Sequence, residues 1–184
     1  MAAERVASMA GKLIVFEGTD GSGKATQTAL LCGELDRRGI PYRRLEFPRY
    51  SEDSSALIRL YLGGAFGSDP GDVNAYAAAS FYAVDRYASY KQDWGAFYES
   101  GGLVIADRYT TSNAVHQCSK LPPDQWDGFL RWAFEYEYQL LGLPAPDAVV
   151  YLQVDPAVSQ KLMTGRYHGD ESRKDVHEKD TEYL

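Results

Sequence analysis

A glycine-rich segment near the start of the chain could bind the phosphates of a nucleotide. Residues Gly18 to Lys24 read GTDGSGK, after a short apolar run and before a helical pattern. The glycines let backbone N–H groups turn toward phosphate oxygens, and Lys24 can reach the β- and γ-phosphates. The spacing therefore predicts a phosphate-binding loop (P-loop) for ATP. Its expected contacts are Gly18, Thr19, Asp20, Gly21, Ser22, Gly23, Lys24, Ala25 and Thr26.

One position departs from the usual form of this loop. A serine or threonine normally offers its hydroxyl group to Mg²⁺ there, whereas this chain has Ala25. The neighbouring Thr26 should point elsewhere on the helix. We therefore expect Mg²⁺ to be held mainly by phosphates, water and acidic side chains, with Asp20 and Asp107 as the best candidates.

An Asp-Arg-Tyr motif at residues 107–109 could bind the phosphate of an acceptor. It ends the apolar run Leu103–Asp107, which is typical of a buried strand. In an open α/β sheet, the carboxyl ends of the strands face the ligand crevice. Arg108 could hold a phosphate there through two N–H donors, and Asp107 could orient Mg²⁺ through water. A structural Asp–Arg pair is the alternative.

A second motif, FPRY at residues 47–50, ends the second predicted strand, 42–47, in the same crevice. Pro48 would make a rigid bend, and Arg49 and Tyr50 could contact an acceptor phosphate. A solvated loop is the alternative.

Tyr82 and Arg86 are four residues apart, so a helix would place them on one face. The aromatic ring could stack on a pyrimidine, and the arginine could donate to a carbonyl oxygen of the base. A packed tyrosine beside an unrelated surface arginine is the alternative.

Strands alternate with helices along the chain. The predicted strands are Lys12–Glu17, 42–47, Leu103–Asp107 and 148–154, and the predicted helices are 23–38, 53–62, 72–99, 123–141 and one that Asp155 opens. Alternation of this kind predicts an α/β fold, with a parallel sheet flanked by helices on both faces. The charged segment 164–179 is poor in apolar residues and is expected to be a mobile loop. Residues 1–10 read as a leader or tail of unknown role.

Composition narrows the classes of function. The net charge of −7 argues against a nucleic-acid polymer as ligand, because such a ligand requires a basic face. No apolar run is long enough for a membrane span. Cys32 and Cys118 lack metal-ligand spacing and are expected to be reduced thiols in a cytoplasmic protein.

Five segments in this order closely resemble bacterial thymidylate kinases: GTDGSGKATQ, FPRY, FYAVDRY, DRYTTSNAVHQ and GRYHGDESRKDVHEKDTEYL. The resemblance runs from about Lys12 to Leu184. It implies the P-loop nucleoside-monophosphate kinase architecture, in a single domain over residues 11–184. It also implies phosphorylation of dTMP to dTDP with ATP and Mg²⁺, and a homodimer. One further strand and a loop that contacts adenine would be expected beyond the last residue.

The resemblance also implies roles for individual residues. Asp20 would lie near the sugar hydroxyl, Tyr82 would stack on thymine and Arg86 would read a thymine oxygen. Arg108 would bind the acceptor phosphate. The helix that carries Asn113 and His116 would flank the deoxyribose, although the family often has Tyr or Phe in place of His116. The expected substrate contacts are Asp20, Phe47, Pro48, Arg49, Tyr50, Tyr82, Arg86, Arg108, Asn113 and His116.

Phosphoryl transfer depends on stabilising charge at the transferred group. In this family, one arginine near that group comes from the P-loop or from a basic lid. Residues 19–22 contain no arginine, so the lid over 164–179 should provide it, with Arg166 as first choice and Arg173 as second. The expected catalytic residues are Lys24, Arg108, Arg166, Arg173 and Asp20.

Two alternatives remain open at this point. The chain could be a kinase for another nucleoside monophosphate or for a deoxynucleoside, although a deoxynucleoside would leave Arg108 without a phosphate to bind. It could also be a nucleotide-binding module without turnover, a possibility to which Ala25 gives some weight.

Overall fold

Four parallel strands form a single sheet in the order β2-β3-β1-β4. The computed structural model describes residues 10–155, 157–159 and 161–162. The strands are β1 (Lys12–Glu17), β2 (Tyr42–Glu46), β3 (Leu103–Asp107) and β4 (Ala148–Tyr151). All three pairings are parallel, so the predicted fold class is confirmed.

Helices connect the strands. They are α1 (Lys24–Arg37), α2 (Ala56–Leu62), α3 (Ala75–Ser89), α4 (Gly95–Glu99), α5 (Thr110–Cys118) and α6 (Trp126–Phe134). Single 3₁₀ turns lie at Asp53–Ser55, Pro70–Asp72 and Pro123–Gln125, and π-helical segments lie at Tyr90–Trp94 and Glu135–Leu140. No helix of the described residues is long and apolar enough to cross a membrane.

The two faces of the sheet carry separate cores, because successive strand residues point to opposite sides. Leu13 and Val15 of β1 pack on one side with Trp94 and Tyr109. Phe16 packs on the other side against residues of α1, including Leu35. Helical segments thus cover both faces, as the alternation of elements predicts.

Several predicted boundaries shift. The predicted helix 72–99 begins only at α3, where the side chain of Asn74 accepts the N–H of Ala77 at 2.9 Å and caps the helix. The π-helical segment Tyr90–Trp94 then separates α3 from α4. The predicted strand 148–154 ends at Tyr151. Asp155 does cap a helical turn, because its carboxylate accepts the N–H of Ala157 at 2.8 Å.

The sheet order determines where a site can form. Strands β1 and β3 are neighbours, with Phe16 paired to Asp107 at their carboxyl ends. The P-loop follows β1 and the Asp-Arg-Tyr motif follows β3. The two segments therefore meet at one edge of the sheet.

Candidate active site

The backbone of the P-loop is tightly packed and accepts hydrogen bonds from Lys24. A side chain at Gly18, where φ is +151°, would place a Cβ atom 2.6 Å from Oγ of Ser22 and 2.8 Å from the carbonyl oxygen of Leu152. Only glycine fits there. The Lys24 ammonium donates to the carbonyl oxygens of Gly18 and Thr19 at 2.9 and 2.8 Å. Burial and the nearby positive charge of Arg108 lower the pKa of Lys24 to about 8.

Arg108 occupies a turn that directs it across the P-loop. Its φ of +68° is uncommon for a residue other than glycine, and its N–H donates to the carbonyl oxygen of Phe16 at 3.0 Å. The guanidinium donates to the carboxylate of Asp20 and to Oγ of Ser112. Burial alone lowers the pKa of Arg108, but the carboxylates around it, Asp20 first, outweigh burial and raise the pKa. The charged form is therefore favoured.

Glu17, the last residue of β1, holds the start of α5. Its Oε1 accepts the N–H groups of Tyr109 and Ser112 at 3.0 and 2.9 Å, and the hydroxyl of Thr111 at 2.7 Å. The hydroxyl of Ser112 donates to its other carboxylate oxygen. A negative charge at a helix N-terminus is stabilising, so Glu17 fixes the segment that follows Arg108.

The acidic residues of the site fit a weakly held Mg²⁺. Asp107 is buried, and burial raises the pKa of its carboxyl group even though Lys24 and Arg108 oppose that shift. Asp20 is paired with Arg108. No group of three or more metal-ligating side chains occurs among the described residues. Mg²⁺ that keeps water and nucleotide phosphates as ligands suits such a donor set, whereas a metal held entirely by protein side chains does not.

Arg86 has a partner that neither interpretation of the sequence anticipated. It is 2% exposed, and its Nε and Nη2 donate to the two carboxylate oxygens of Glu137, both at 2.6 Å. Burial alone lowers the pKa of Arg86, but attraction to Glu137 outweighs burial and raises it. The alternative of a surface arginine is wrong. Of the three guanidinium nitrogens, Nη1 makes no hydrogen bond to any residue within the described ranges.

Helix α5 carries two buried amide side chains, Asn113 and Gln117. Nδ2 of Asn113 donates to the carbonyl oxygen of Ala79 at 3.1 Å, while its Oδ1 is buried without a partner in the described part of the chain. Gln117 is wholly buried, and both atoms of its amide lack a partner there. Buried polar groups are normally hydrogen-bonded, so these amide atoms are available to a bound water or ligand.

His116 and Tyr82 have different surroundings. Burial and the charge of Arg108 lower the pKa of His116 to about 4, and Asp20 and Lys24 also act on it. His116 is therefore close to the phosphate end of the site. Tyr82 is partly buried and packs against the cluster that contains Ile58 and Tyr61.

The FPRY segment is hydrogen-bonded to α3, and its four residues differ in how far they are exposed to a ligand. Phe47 is 3% exposed and packs beside Tyr109, with ring centroids 5.9 Å apart, so its side chain belongs to the core. Pro48 follows a cis peptide bond. The N–H of Arg49 donates to the carboxylate of Asp85 at 2.9 Å. Tyr50 is exposed.

Sequence reasoning missed four buried polar residues of this region: Glu17, Asp85, Gln117 and Glu137. A signal existed for Glu137, which continues the buried stripe of Phe129 and Ala133 at helical spacing. A carboxylate on such a stripe requires a buried partner. Arg166 and Arg173, with the whole of the predicted lid over 164–179, lie outside the described residues.

Comparisons with known proteins agree on one family. The model of the family described as thymidylate kinase matches residues 16–184. The thymidylate kinase of Mycobacterium tuberculosis (strain CDC 1551 / Oshkosh) is 34% identical over 179 residues, which cover 92% of this chain and 79% of the relative. That of Bifidobacterium longum (strain DJO10A) is 31% identical over 84% of this chain and 72% of the relative. The solved thymidylate kinase of Candida albicans superimposes with a TM-score of 0.64 at 25% identity, over 83% of this chain and 67% of that one.

Proposed function

Because this chain belongs to the thymidylate kinase family, we propose that it transfers the γ-phosphate of ATP to dTMP and forms dTDP. The observation that carries the proposal is the position of Arg108. Its guanidinium forms an ion pair with Asp20 of the P-loop, and its positive charge lowers the pKa of Lys24. The three residues follow the carboxyl ends of the neighbouring strands β1 and β3. An acceptor phosphate bound by Arg108 would thus lie beside the donor phosphates bound by the P-loop.

The charges of the site fit transfer between two phosphates. Lys24 would bind the β- and γ-phosphates of ATP, and Arg108 would orient the acceptor phosphate with two N–H donors. An acceptor phosphate is already ionised at neutral pH, so no side chain has to act as a strong base. Mg²⁺, carried by the ATP and held near Asp20 and Asp107, would neutralise charge on the donor phosphates. Arg166 or Arg173 would stabilise the transferred group.

The base of the acceptor would lie between α3 and α5. The unpaired amide atoms of Asn113 and Gln117 and the remaining N–H groups of Arg86 offer donors and acceptors for a pyrimidine edge. Tyr82 would provide the stacking surface. Arg86 can only donate, so it favours the carbonyl group at position 4 of thymine over the amino group of cytosine.

We also infer that the protein is a homodimer in the cytoplasm, as the family resemblance implies. Apolar side chains exposed on α2 and α3, among them Leu60 and Val84, offer a surface for a second copy. Cys32 and Cys118 are free thiols, which fits a reducing compartment.

A panel of acceptors tests the proposal. Release of ADP from ATP would be measured with dTMP, dCMP, dGMP and thymidine in turn. We expect the largest kcat/KM with dTMP and no turnover of thymidine. Equal or better use of dCMP would contradict the assignment of the base, and ADP release independent of any acceptor would contradict the assignment of a kinase.

A further inference from the structure

Glu137 lies at the centre of a buried polar network that joins three elements. It is 1% exposed and lies in the π-helical segment after α6. Its Oε1 accepts from Nη2 of Arg86 at 2.6 Å. Its Oε2 accepts from Nε of Arg86 at 2.6 Å and from the hydroxyl of Thr110 at 2.9 Å. One carboxylate thus holds both α3 and the first residue of α5.

This network fixes the orientation of Arg86. Two parallel N–H···O bonds hold the plane of the guanidinium, and the ring of Tyr109 lies 5.8 Å below its central carbon. Glu137 takes the Nε–H and one N–H of Nη2, so the two N–H groups of Nη1 and the second N–H of Nη2 remain for a ligand. The orientation of Nη1 is therefore set by Glu137 rather than by the flexible arginine stem.

The same carboxylate is also connected to Arg108, at the phosphate end of the site, through its hydrogen bond with Thr110. Thr110 is two residues beyond Arg108, and the intervening Tyr109 donates its N–H to Glu17. Glu17 and Glu137 thus bind two consecutive residues at the start of α5, Tyr109 and Thr110. Displacement of Thr110 would disturb the turn that carries Arg108.

We propose that Glu137 is a positioning residue for acceptor recognition, which fixes Arg86 for the base and links it through Thr110 to the turn that carries Arg108. The inference rests on the proposed function, because Arg86 has a base to read only if a pyrimidine nucleotide is the acceptor. Glu137 itself need not touch the acceptor. Its effect should appear in the choice among acceptors and in acceptor affinity, and not in the use of ATP.

The test compares Glu137→Gln with Glu135→Gln as a matched control. Glu135 is exposed and lies two residues away in the same segment. Kinetic constants would be measured for dTMP, dCMP and ATP. In Glu137→Gln, loss of a charged hydrogen bond should raise the KM for dTMP about 10-fold or more. The preference for dTMP over dCMP should also fall, because dCMP loses only the contribution of the turn that carries Arg108, while the KM for ATP changes less than about twofold. Glu135→Gln should match the wild type.

Equal losses with dTMP and dCMP, or an equal rise in the KM for ATP, would overturn the proposal, because a merely structural residue would act in that way. Removal of a buried charge from an ion pair can also prevent folding. Thr110→Val then decides, since it removes one neutral hydrogen bond to Glu137 and leaves the ion pair intact. It should raise the KM for dTMP roughly 2- to 12-fold. An unchanged KM in folded Thr110→Val would overturn the proposal.

Different results would contradict the proposed function and the role of Glu137. Wild-type protein that does not phosphorylate dTMP would contradict the proposed function, whatever the variants do. Wild-type protein that prefers dTMP, beside a Glu137→Gln variant with the same preference, would contradict only the role of Glu137.

Discussion

Arg108 donates a hydrogen bond from its Nη2 to the carboxylate of Asp20, and this contact joins the turn after β3 to the P-loop after β1. The two side chains are 18% and 24% exposed, so a ligand can reach the pair. A phosphate offers the same bidentate geometry to a guanidinium as a carboxylate does. An acceptor phosphate would therefore meet Arg108 where Asp20 already lies, directly beside the donor site.

Arg108→Ala should lower kcat/KM for dTMP by about 10- to 150-fold, which corresponds to the loss of a charged hydrogen bond. The KM for ATP should change little, because Lys24 and the P-loop backbone remain. Steady-state kinetics with each substrate varied in turn would measure both effects. Arg131→Ala, which alters an exposed arginine of α6, is the control and should behave like the wild type. Unchanged use of dTMP in Arg108→Ala would remove this residue from the site.

Variants of the buried pair of Arg86 and Glu137 should separate its effect on the free energy of unfolding from its effect on catalysis. Arg86→Met alone leaves a buried carboxylate unpaired and should lower the free energy of unfolding by about 3–5 kcal/mol. The double variant Arg86→Met/Glu137→Leu should regain much of that loss, because apolar residues of similar volume often replace a buried pair without cost. Its kcat/KM for dTMP should stay low. Urea denaturation and kinetics would test both statements, and full activity in the double variant would show that Arg86 does not bind the acceptor.

Local patterns were sufficient to predict the parallel sheet, the glycine-rich loop after β1 and the position of Arg108 at the end of β3. Each depends on neighbours within a few residues: the strand–glycine–lysine order of Gly18 to Lys24, or a charged motif at the end of a buried strand. The partner of Arg86 could not be predicted in this way, since Glu137 is 51 residues away in the chain. The core position of Phe47 was missed for a similar reason, because it depends on the ring of Tyr109 from another strand end.

His116 should make the protein sensitive to acid. Its pKa is lowered to about 4 in the folded protein, from 6.5 as the ordinary value. Between these values the unfolded chain binds a proton that the folded protein does not bind, so stability falls as the pH drops from about 6.5 toward 4. Melting temperatures at pH 7.5 and pH 5 should therefore differ less in His116→Gln than in the wild type. Equal acid sensitivity in the two proteins would contradict this account of His116.

The exposed face of α3 should mediate the dimer. Tyr76, Val84 and Tyr87 lie on that face and are 42%, 39% and 36% exposed. A charge at Val84 would oppose burial against a second copy without disturbing the core. Light scattering should report a dimer for the wild type and a monomer for Val84→Glu. Leu30→Glu alters an exposed leucine on α1 and should remain dimeric. A monomeric wild type at micromolar concentration would refute the prediction.

The most direct measurement of the central claim follows the transferred phosphate itself. The protein would be incubated with ATP labelled at the γ-phosphate, Mg²⁺ and dTMP, and the products separated by chromatography. The site described here predicts that the label appears in dTDP, that an excess of dCMP competes weakly, and that Arg108→Ala loses most of the transfer. Label that appears only as free phosphate, or that enters dCDP as readily as dTDP, would contradict it.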